Sequence, residues 1–188
     1  MFAFIFTEVF ILLIIIGLLF VLSGVWPPDS PWAPWWQMPD AVIVQMCNIA
    51  HISSKDTIYD LGCGTGKALI YASKVYHAKG VGIEIDPIRF ALAVWNVKRF
   101  HQEKEITLLK KNFFNVTLSS ATIIFVYLVP AALKRLTPKF LDELKPGTKF
   151  LSYVYEMPQD LFKGRLQLVK HDKNKRIYYY KLLAKAKK

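Results

Sequence analysis

The sequence contains 188 residues, which is enough for one domain with a sizeable core and an appendage. Hydrophobic residues make up 53% of the chain, the formal net charge is +11, and Cys47 and Cys63 are the only cysteines. This composition excludes a disulfide-rich secreted scaffold and favours a reducing compartment. The four histidines show no metal-ligand spacing, so no metal site is predicted.

The N-terminal segment is strongly apolar. Glu8 is the only charged residue between Phe2 and Val25, and residues 9–22 are unbroken apolar sequence. A helix over residues 9–26 would rise about 27 Å, close to the thickness of the hydrocarbon layer. A cleaved signal peptide is the alternative, although no Lys or Arg precedes the apolar run and no A-x-A-like site follows it. We therefore predict that residues 1–25 form a retained transmembrane helix.

A short segment rich in proline and tryptophan, "WPPDSPWAPWWQMP", covers residues 26–39. Proline ends a helix and stiffens the exit, and tryptophan favours the boundary between membrane and water. The segment is therefore predicted to be an interfacial linker. Alternatively, Trp35 and Trp36 also fold over the active site.

Charge close to the apolar segment does not settle which side of the membrane the rest of the chain faces, because no Lys or Arg precedes Lys55. All 25 basic residues follow residue 54, together with only 11 acidic residues. Such a balance suits a domain that faces anionic lipid on the cytoplasmic side, although a generally lysine-rich surface is an alternative explanation. We expect a single-pass membrane protein with a cytoplasmic catalytic domain.

Residues 40–188 are predicted to form one α/β domain, because strand-like and helix-like segments alternate. Repeated βα units imply a mostly parallel sheet with helices on both faces, and the last two strands read as an antiparallel edge hairpin. The seven predicted strands cover residues 57–61, 80–85, 106–111, 121–128, 149–155, 165–171 and 176–183.

Four helical segments accompany these strands. Asp40 is expected to cap the first helix, and the second covers residues 67–77. Asp86-Pro87 opens the third helix, in which four apolar residues recur at helical spacing. The fourth helix is expected to break near Thr137-Pro138. The predicted apolar faces are Ile43, Met46, Cys47 and Ala50 in the first helix, Ile88, Ala91, Leu92 and Trp95 in the third, and Leu133, Leu136, Phe140 and Leu144 in the fourth.

The stretch "YDLGCGTGKALIYASK", residues 59–74, reads as strand, glycine loop and helix. It is not a P-loop, because positions 61 and 68 are Leu and Ala. It is not the dinucleotide fingerprint either, because Lys stands at position 67 instead of the third glycine. Such a loop still presents bare backbone N–H groups and a helix N-terminus to a ligand.

Two acids indicate which ligand this is. Glu84 ends the second predicted strand, 20 residues after Gly64, where this kind of fold holds the ribose hydroxyls of a nucleoside. Asp60 precedes the glycines and suits a cationic group. A nucleoside with an amino-acid tail fits both, and that molecule is S-adenosylmethionine.

The motif "YDLGCGTGKA…VGIEIDP" resembles motif I and the acidic loop of class I S-adenosylmethionine-dependent methyltransferases. Residues 118–152 more narrowly resemble a bacterial family of small methyltransferases, relatives of the mitochondrial lysine methyltransferases that act on the ATP synthase c subunit and the adenine nucleotide translocase. The resemblance implies a Rossmann-like fold and a membrane-associated N-terminal segment.

The same resemblance implies roles for individual residues. Asp60, Gly62, Gly64 and Gly66 would form the loop on the methionine side of the cofactor, and Glu84 would bind ribose. Asn112 stands where the family usually has an Asp that holds the adenine amino group, and an amide oxygen can accept that hydrogen bond. Trp35 and Trp36 in "PWWQMPD" match a Pro-aromatic segment of the family.

Candidates for the acceptor side follow the fourth and fifth strands, because open α/β sheets bind ligands at the carboxyl ends of their strands. These candidates are Tyr127 and Glu156 for catalysis and Pro130 for substrate contact. A core position for Tyr127 and a solvated loop position for Glu156 are the alternatives. Positioning and exclusion of water can supply most of the catalysis of methyl transfer.

Four functions are open to such a protein. A lysine of a membrane protein near the bilayer surface is the first, and a small or lipid-soluble molecule such as a quinone is the second. Nucleic acid is disfavoured, because "YLVP" replaces the Asn/Asp-Pro-Pro-aromatic motif of amino-methylating DNA enzymes. A scaffold with a vestigial cofactor site is the fourth, and the intact acids and glycines argue against it.

Overall fold

The computed structural model describes the backbone of residues 2–25 and 36–185, and the side chains of residues 6–20 and 36–185. The first helix, α1 (Phe2–Val25), is apolar along its length. Its large apolar side chains between residues 6 and 20 are 47–73% exposed.

In the described part of the chain, no helix is long and apolar enough to cross a membrane. The structure therefore does not support the predicted transmembrane helix, which stays a prediction from the sequence.

Seven strands form one sheet, in the order β3-β2-β1-β4-β5-β7-β6. The first five run parallel, and β7 pairs antiparallel with both β5 and β6. The predicted mixed sheet with its edge hairpin is confirmed. The strands are β1 (Thr57–Leu61), β2 (Lys79–Glu84), β3 (Ile106–Lys110), β4 (Ile123–Val126), β5 (Lys149–Tyr153), β6 (Leu166–Asp172) and β7 (Ile177–Leu182).

Hydrophobic cores cover both faces of the sheet. One core includes side chains of helices α2 (Asp40–Ala50) and α3 (Lys67–Tyr76), with Val97 of helix α4 (Pro87–Arg99). The other core includes helix α5 (Pro130–Glu143) and Phe162 of a short 3-10 helix. Because β1 and β4 are neighbours in the middle of the sheet, strands on both sides hold their carboxyl ends in place.

Helix α4 is turned differently from the sequence prediction. Ile88, Leu92 and Trp95, expected to face the core, are 46%, 41% and 55% exposed, and Ala91 is exposed as well. The buried side of α4 consists of Arg89, Ala93 and Val97. The reason is packing: the small Ala93 forms the contact between α4 and the glycine turn, where a Cβ on Gly66 would lie 3.6 Å from the Ala93 Cβ.

Two expectations about helix ends are also corrected. Asp40 is the first residue of α2 and not its cap; Pro39 occupies that position, and the Asp40 carboxylate pairs with the Lys67 ammonium at 2.6 Å. Helix α5 continues through Pro138 without a break. In that turn the Thr137 hydroxyl donates to the Leu133 carbonyl at 2.9 Å, and the buried apolar face keeps the helix on the sheet.

Candidate active site

A glycine-rich turn joins β1 to α3 and forms the floor of the candidate site. Gly62, Gly64 and Gly66 have φ angles of 85°, 55° and 76°, a region that residues with a side chain rarely occupy. The N–H groups of Gly62 and Cys63 both donate to the Ile83 carbonyl of β2, at 2.9 and 3.0 Å. These bonds hold the bare backbone of the turn beside the end of β2.

Glu84, the last residue of β2, is hydrogen-bonded to backbone on both sides. Its Oε2 accepts from the Gly64 N–H at 2.9 Å, and its Oε1 accepts from the Asp86 N–H at 2.9 Å. Burial raises the pKa of Glu84, and these hydrogen bonds and the charge of Arg89 offset part of the rise. Each carboxylate oxygen has a second lone pair, so ribose hydroxyls can donate to both.

Asp60 is the second acid of the site and lies in β1, two residues before the turn. Its side chain is buried, and burial together with the charge of Glu84 raises its pKa to about 7. Asp60 pairs in register with Gly82, so the two carboxyl groups lie on neighbouring strands. A cationic ligand group would offset both the cost of burying a charged Asp60 carboxylate and its repulsion by Glu84, so this pair suits a positively charged ligand.

Asn112 follows β3 at the same edge of the sheet. It caps the short 3-10 helix Phe113–Asn115, and its Oδ1 accepts from the Phe114 N–H at 3.0 Å. That oxygen has a further lone pair, so an adenine amino group can also donate to it.

A cleft that we name the cofactor pocket runs from the glycine turn to the start of α2. It is lined by Asp60 and by the turn itself, by Lys67 at the start of α3, and by Trp36 and Tyr127. Lys67 is already paired with Asp40, so its charge does not compete for the acids of the site. The cleft thus joins Asp60 and the glycine turn to Tyr127, a predicted acceptor-side residue.

A second cleft, which we name the aromatic pocket, adjoins the first and shares Trp36 and Tyr127 with it. The Tyr127 and Tyr153 rings meet edge to face, with 4.7 Å between their centroids. Burial raises the pKa of Tyr127. The residues that line this pocket are Trp36, Tyr127, Val129, Tyr153, Val154, Tyr155 and Arg176.

The remaining candidates lie around these pockets. Trp36 is exposed and lines both, whereas Trp35 lies outside the described residues. Pro130 is exposed as the first residue of α5, directly after Val129 of the aromatic pocket. Glu156 is exposed and lines neither pocket. The pKa of Tyr178 in β7 is raised mainly by the burial of Tyr178 and in second place by the charge of Glu156.

Sequence reasoning missed five residues of the aromatic pocket, among them Tyr153, Tyr155 and Arg176. The alternation "YVY" at the end of the fifth strand was a usable signal for the tyrosines. Arg176 reaches the pocket only because β7 pairs with β5, a contact that spacing does not reveal. Within the described residues, no group of three His, Cys, Asp or Glu side chains could hold a metal ion.

Comparisons with known proteins place these features in context. A sequence profile of the ANTKMT methyltransferase domain matches residues 60–161. A protein-lysine N-methyltransferase of Saccharolobus islandicus is 37% identical over 128 residues, which cover 68% of this chain and 80% of that protein.

Solved structures agree at the level of the fold. An RNA methyltransferase from Salinibacter ruber, in complex with S-adenosyl-L-homocysteine, aligns with a TM-score of 0.72 and 28% identity, over 81% of this chain and 97% of that one. Precorrin-6y C5,15-methyltransferase from Geobacter metallireducens aligns with a TM-score of 0.63 and 13% identity, over 86% and 97% of the two chains.

Proposed function

This chain belongs to the ANTKMT methyltransferase domain family, and from that premise we propose that it methylates a lysine side chain of a membrane protein near the bilayer surface. The coarser part of the prediction is confirmed: the protein is a class I methyltransferase that uses S-adenosylmethionine. We choose lysine as the acceptor because of the related protein-lysine N-methyltransferase. We propose the membrane setting from features of this chain alone.

The described residues fit this cofactor. The glycine turn offers bare backbone, and the buried Asp60 and Glu84 supply two carboxyl groups at neighbouring strand ends. Asp60 would hold the cationic amino-acid part, Glu84 the ribose hydroxyls, and Asn112 the adenine. The observation that carries the proposal is the continuity of this pocket with a second, aromatic one through Trp36 and Tyr127.

The bound cofactor supplies a methyl group on a positively charged sulfur, so the protein has to deliver a neutral nitrogen in line with it. An acceptor lysine must first lose its proton to solvent, and exclusion of water together with repulsion from the positively charged sulfur lowers the pKa of its amine. Tyr127 stands where the two pockets meet and can orient the nitrogen. Positioning and water exclusion are therefore the contributions of the protein.

The membrane setting rests on α1 and on charge. The described apolar side chains of α1 are exposed on all sides, and such a surface is stable only when lipid or protein covers it. The strongly basic chain suits anionic lipid on the cytoplasmic side, where S-adenosylmethionine is made. We propose that α1 anchors the domain and that the linker over residues 26–39 keeps the active site close to the bilayer.

A small or lipid-soluble acceptor such as a quinone is the second candidate. The aromatic lining of the second pocket favours it, because flat rings stack well on tyrosine and tryptophan. The two candidates differ in the product: methyl-lysine in a protein, or a methylated extractable molecule.

The experiment that separates them uses the full chain, membranes and S-adenosylmethionine with a labelled methyl group. We expect label on lysine side chains of membrane proteins, identified by mass spectrometry, and no label with Gly64→Arg, whose bulky side chain would fill the turn. Label that enters only the lipid extract would overturn the lysine proposal in favour of the small-molecule acceptor.

A further inference from the structure

The chain takes an unusual path directly after β5. The Tyr155 N–H donates to the Tyr153 carbonyl at 2.9 Å, which closes a three-residue turn around Val154. Val154 has a φ of 71°, a conformation that costs free energy for a β-branched residue. The buried Ser152 hydroxyl donates to the Tyr155 carbonyl and braces the turn.

The β6–β7 hairpin holds this turn in place. The Val154 N–H donates to the Arg176 carbonyl at 2.8 Å, and Arg176 itself has a φ of 54°. One step further along, Tyr153 pairs in register with Ile177 of β7. Two backbone positions in the left-handed region thus contact each other, and both line the aromatic pocket.

The consequence of the tight turn is that two successive tyrosines of "YVY" line one pocket. Tyr153 and Tyr155 are half-buried there, and Tyr153 lies edge-on against Tyr127. Among the seven described residues that line the pocket, Arg176 is the one that carries a charge, and it is exposed. The pocket is therefore aromatic along its walls, cationic at its rim, and continuous with the cofactor pocket.

Resting on the proposed function, we infer that the aromatic pocket is the channel for the acceptor lysine, in which Tyr153 and Tyr155 are positioning residues and Arg176 recognises a carboxylate beside that lysine. A channel walled by aromatic rings suits the four-carbon stem of lysine. By cation–π attraction it also stabilises the positively charged amine that forms when a methyl group is added. An exposed guanidinium at the rim repels a second cation and attracts an acidic neighbour.

The first test measures label transfer to membrane-protein lysines by the full chain carrying Tyr153→Ala or Tyr155→Ala. We expect each variant to lower the rate about tenfold or more, while calorimetry shows unchanged S-adenosylmethionine affinity. Tyr71→Ala is the matched control, because Tyr71 is a half-buried tyrosine of α3 that lines neither pocket. Wild-type rates in both pocket variants would overturn the channel.

The second test concerns the rim and uses two peptides, acetyl-Ala-Glu-Lys-Glu-Ala-amide and its version with Gln in place of Glu. The acidic peptide should be methylated about three- to fivefold faster, in line with a solvent-exposed charge pair. Arg176→Gln should bring the ratio close to one, and Arg176→Lys should keep most of it. Equal wild-type rates, or transfer to neither peptide, would overturn the role of Arg176.

Failure of the inference is distinguishable from failure of the proposed function. If the Tyr153 and Tyr155 variants label lysines as well as wild type does, only the channel is lost. If the wild-type protein labels no lysine at all and labels a lipid-extractable molecule, the proposed function fails and the lysine channel fails with it.

Discussion

The Glu84 carboxylate lies 2.9 Å from the backbone nitrogen of Gly64, a residue 20 positions earlier in the chain. The acid expected to bind ribose therefore also holds the glycine turn against β2. Organisation of the turn and recognition of the nucleoside depend on one side chain.

Replacement of Glu84 tests this double role. Glu84→Ala should weaken S-adenosylmethionine binding by about 1.5–3 kcal/mol, because hydrogen bonds to a charged group are lost. It should also lower the melting temperature of the ligand-free protein, because the Gly64 and Asp86 amides lose their acceptor. Calorimetry and thermal melts give both values, with the exposed Glu103→Ala as control. Unchanged affinity in a folded Glu84→Ala protein would exclude the ribose role.

Cofactor binding should depend on pH through Asp60. The pKa of this group is raised to about 7 without ligand, and a cationic ligand group binds the ionised form. Affinity should therefore rise with pH and be about tenfold tighter at pH 8 than at pH 6. Asp60→Asn should bind more weakly and lose this dependence. A pH-independent wild-type affinity, measured by calorimetry, would contradict the assignment.

The same group predicts how the stability of the ligand-free protein changes with pH. Because the folded pKa of Asp60 lies above its unfolded value, the folded state holds the proton more tightly, and stability is lost as pH rises from about 4 to 7. Asp60→Asn should therefore melt at a higher temperature than wild type at pH 8, with little difference at pH 4. A variant that is less stable than wild type at pH 8 would refute the explanation.

A side chain at Gly82 should destabilise the protein. A Cβ at this position would lie 2.7 Å from the Leu108 Cδ2 and 2.8 Å from the Cys63 Sγ of the glycine turn. Gly82→Ala should cost about 1–3 kcal/mol of unfolding free energy, and Gly80→Ala in the same strand should cost less, because its nearest contacts are 3.2–3.4 Å away. Urea denaturation measures both; equal costs would show that the contact with the turn is unimportant.

The membrane proposal has its own measurement. Full-length protein should stay in the membrane fraction through carbonate and high-salt washes, because burial of apolar surface does not depend on charge. Removal of residues 1–25 should make the association salt-sensitive or abolish it. If salt alone releases the full-length chain, the anchor proposal is wrong.

The local parts of the site could be predicted from the sequence. The glycine turn, Asp60 and Glu84 lie within 25 residues of one another, and turn chemistry and strand spacing determine where their side chains lie. The order of strands and helices was predictable for the same reason, since the alternation of apolar patterns is a local property.

Other features depend on contacts between distant segments. The apolar periodicity of α4 predicted a core face, but α4 packs against the glycine turn at Gly66 through the small Ala93, and Trp95 lies outside. Arg176 enters the aromatic pocket through strand pairing across more than 20 residues. Periodicity in one helix or strand contains no information about such partners.

Strand β7 lies between β5 and β6, so the acceptor pocket is built from the C-terminal strands. The two tasks of this protein, cofactor binding and acceptor recognition, therefore fall to different segments of the chain. Every residue assigned to the cofactor precedes residue 113, whereas the turn around Val154 and the hairpin with Arg176 come from the last third of the sheet. Acceptor preference can therefore diverge during evolution through changes in the hairpin while the cofactor half is inherited unaltered. Exchange of the segment from β5 to β7 between relatives offers a route to enzymes that transfer the same methyl group to new targets.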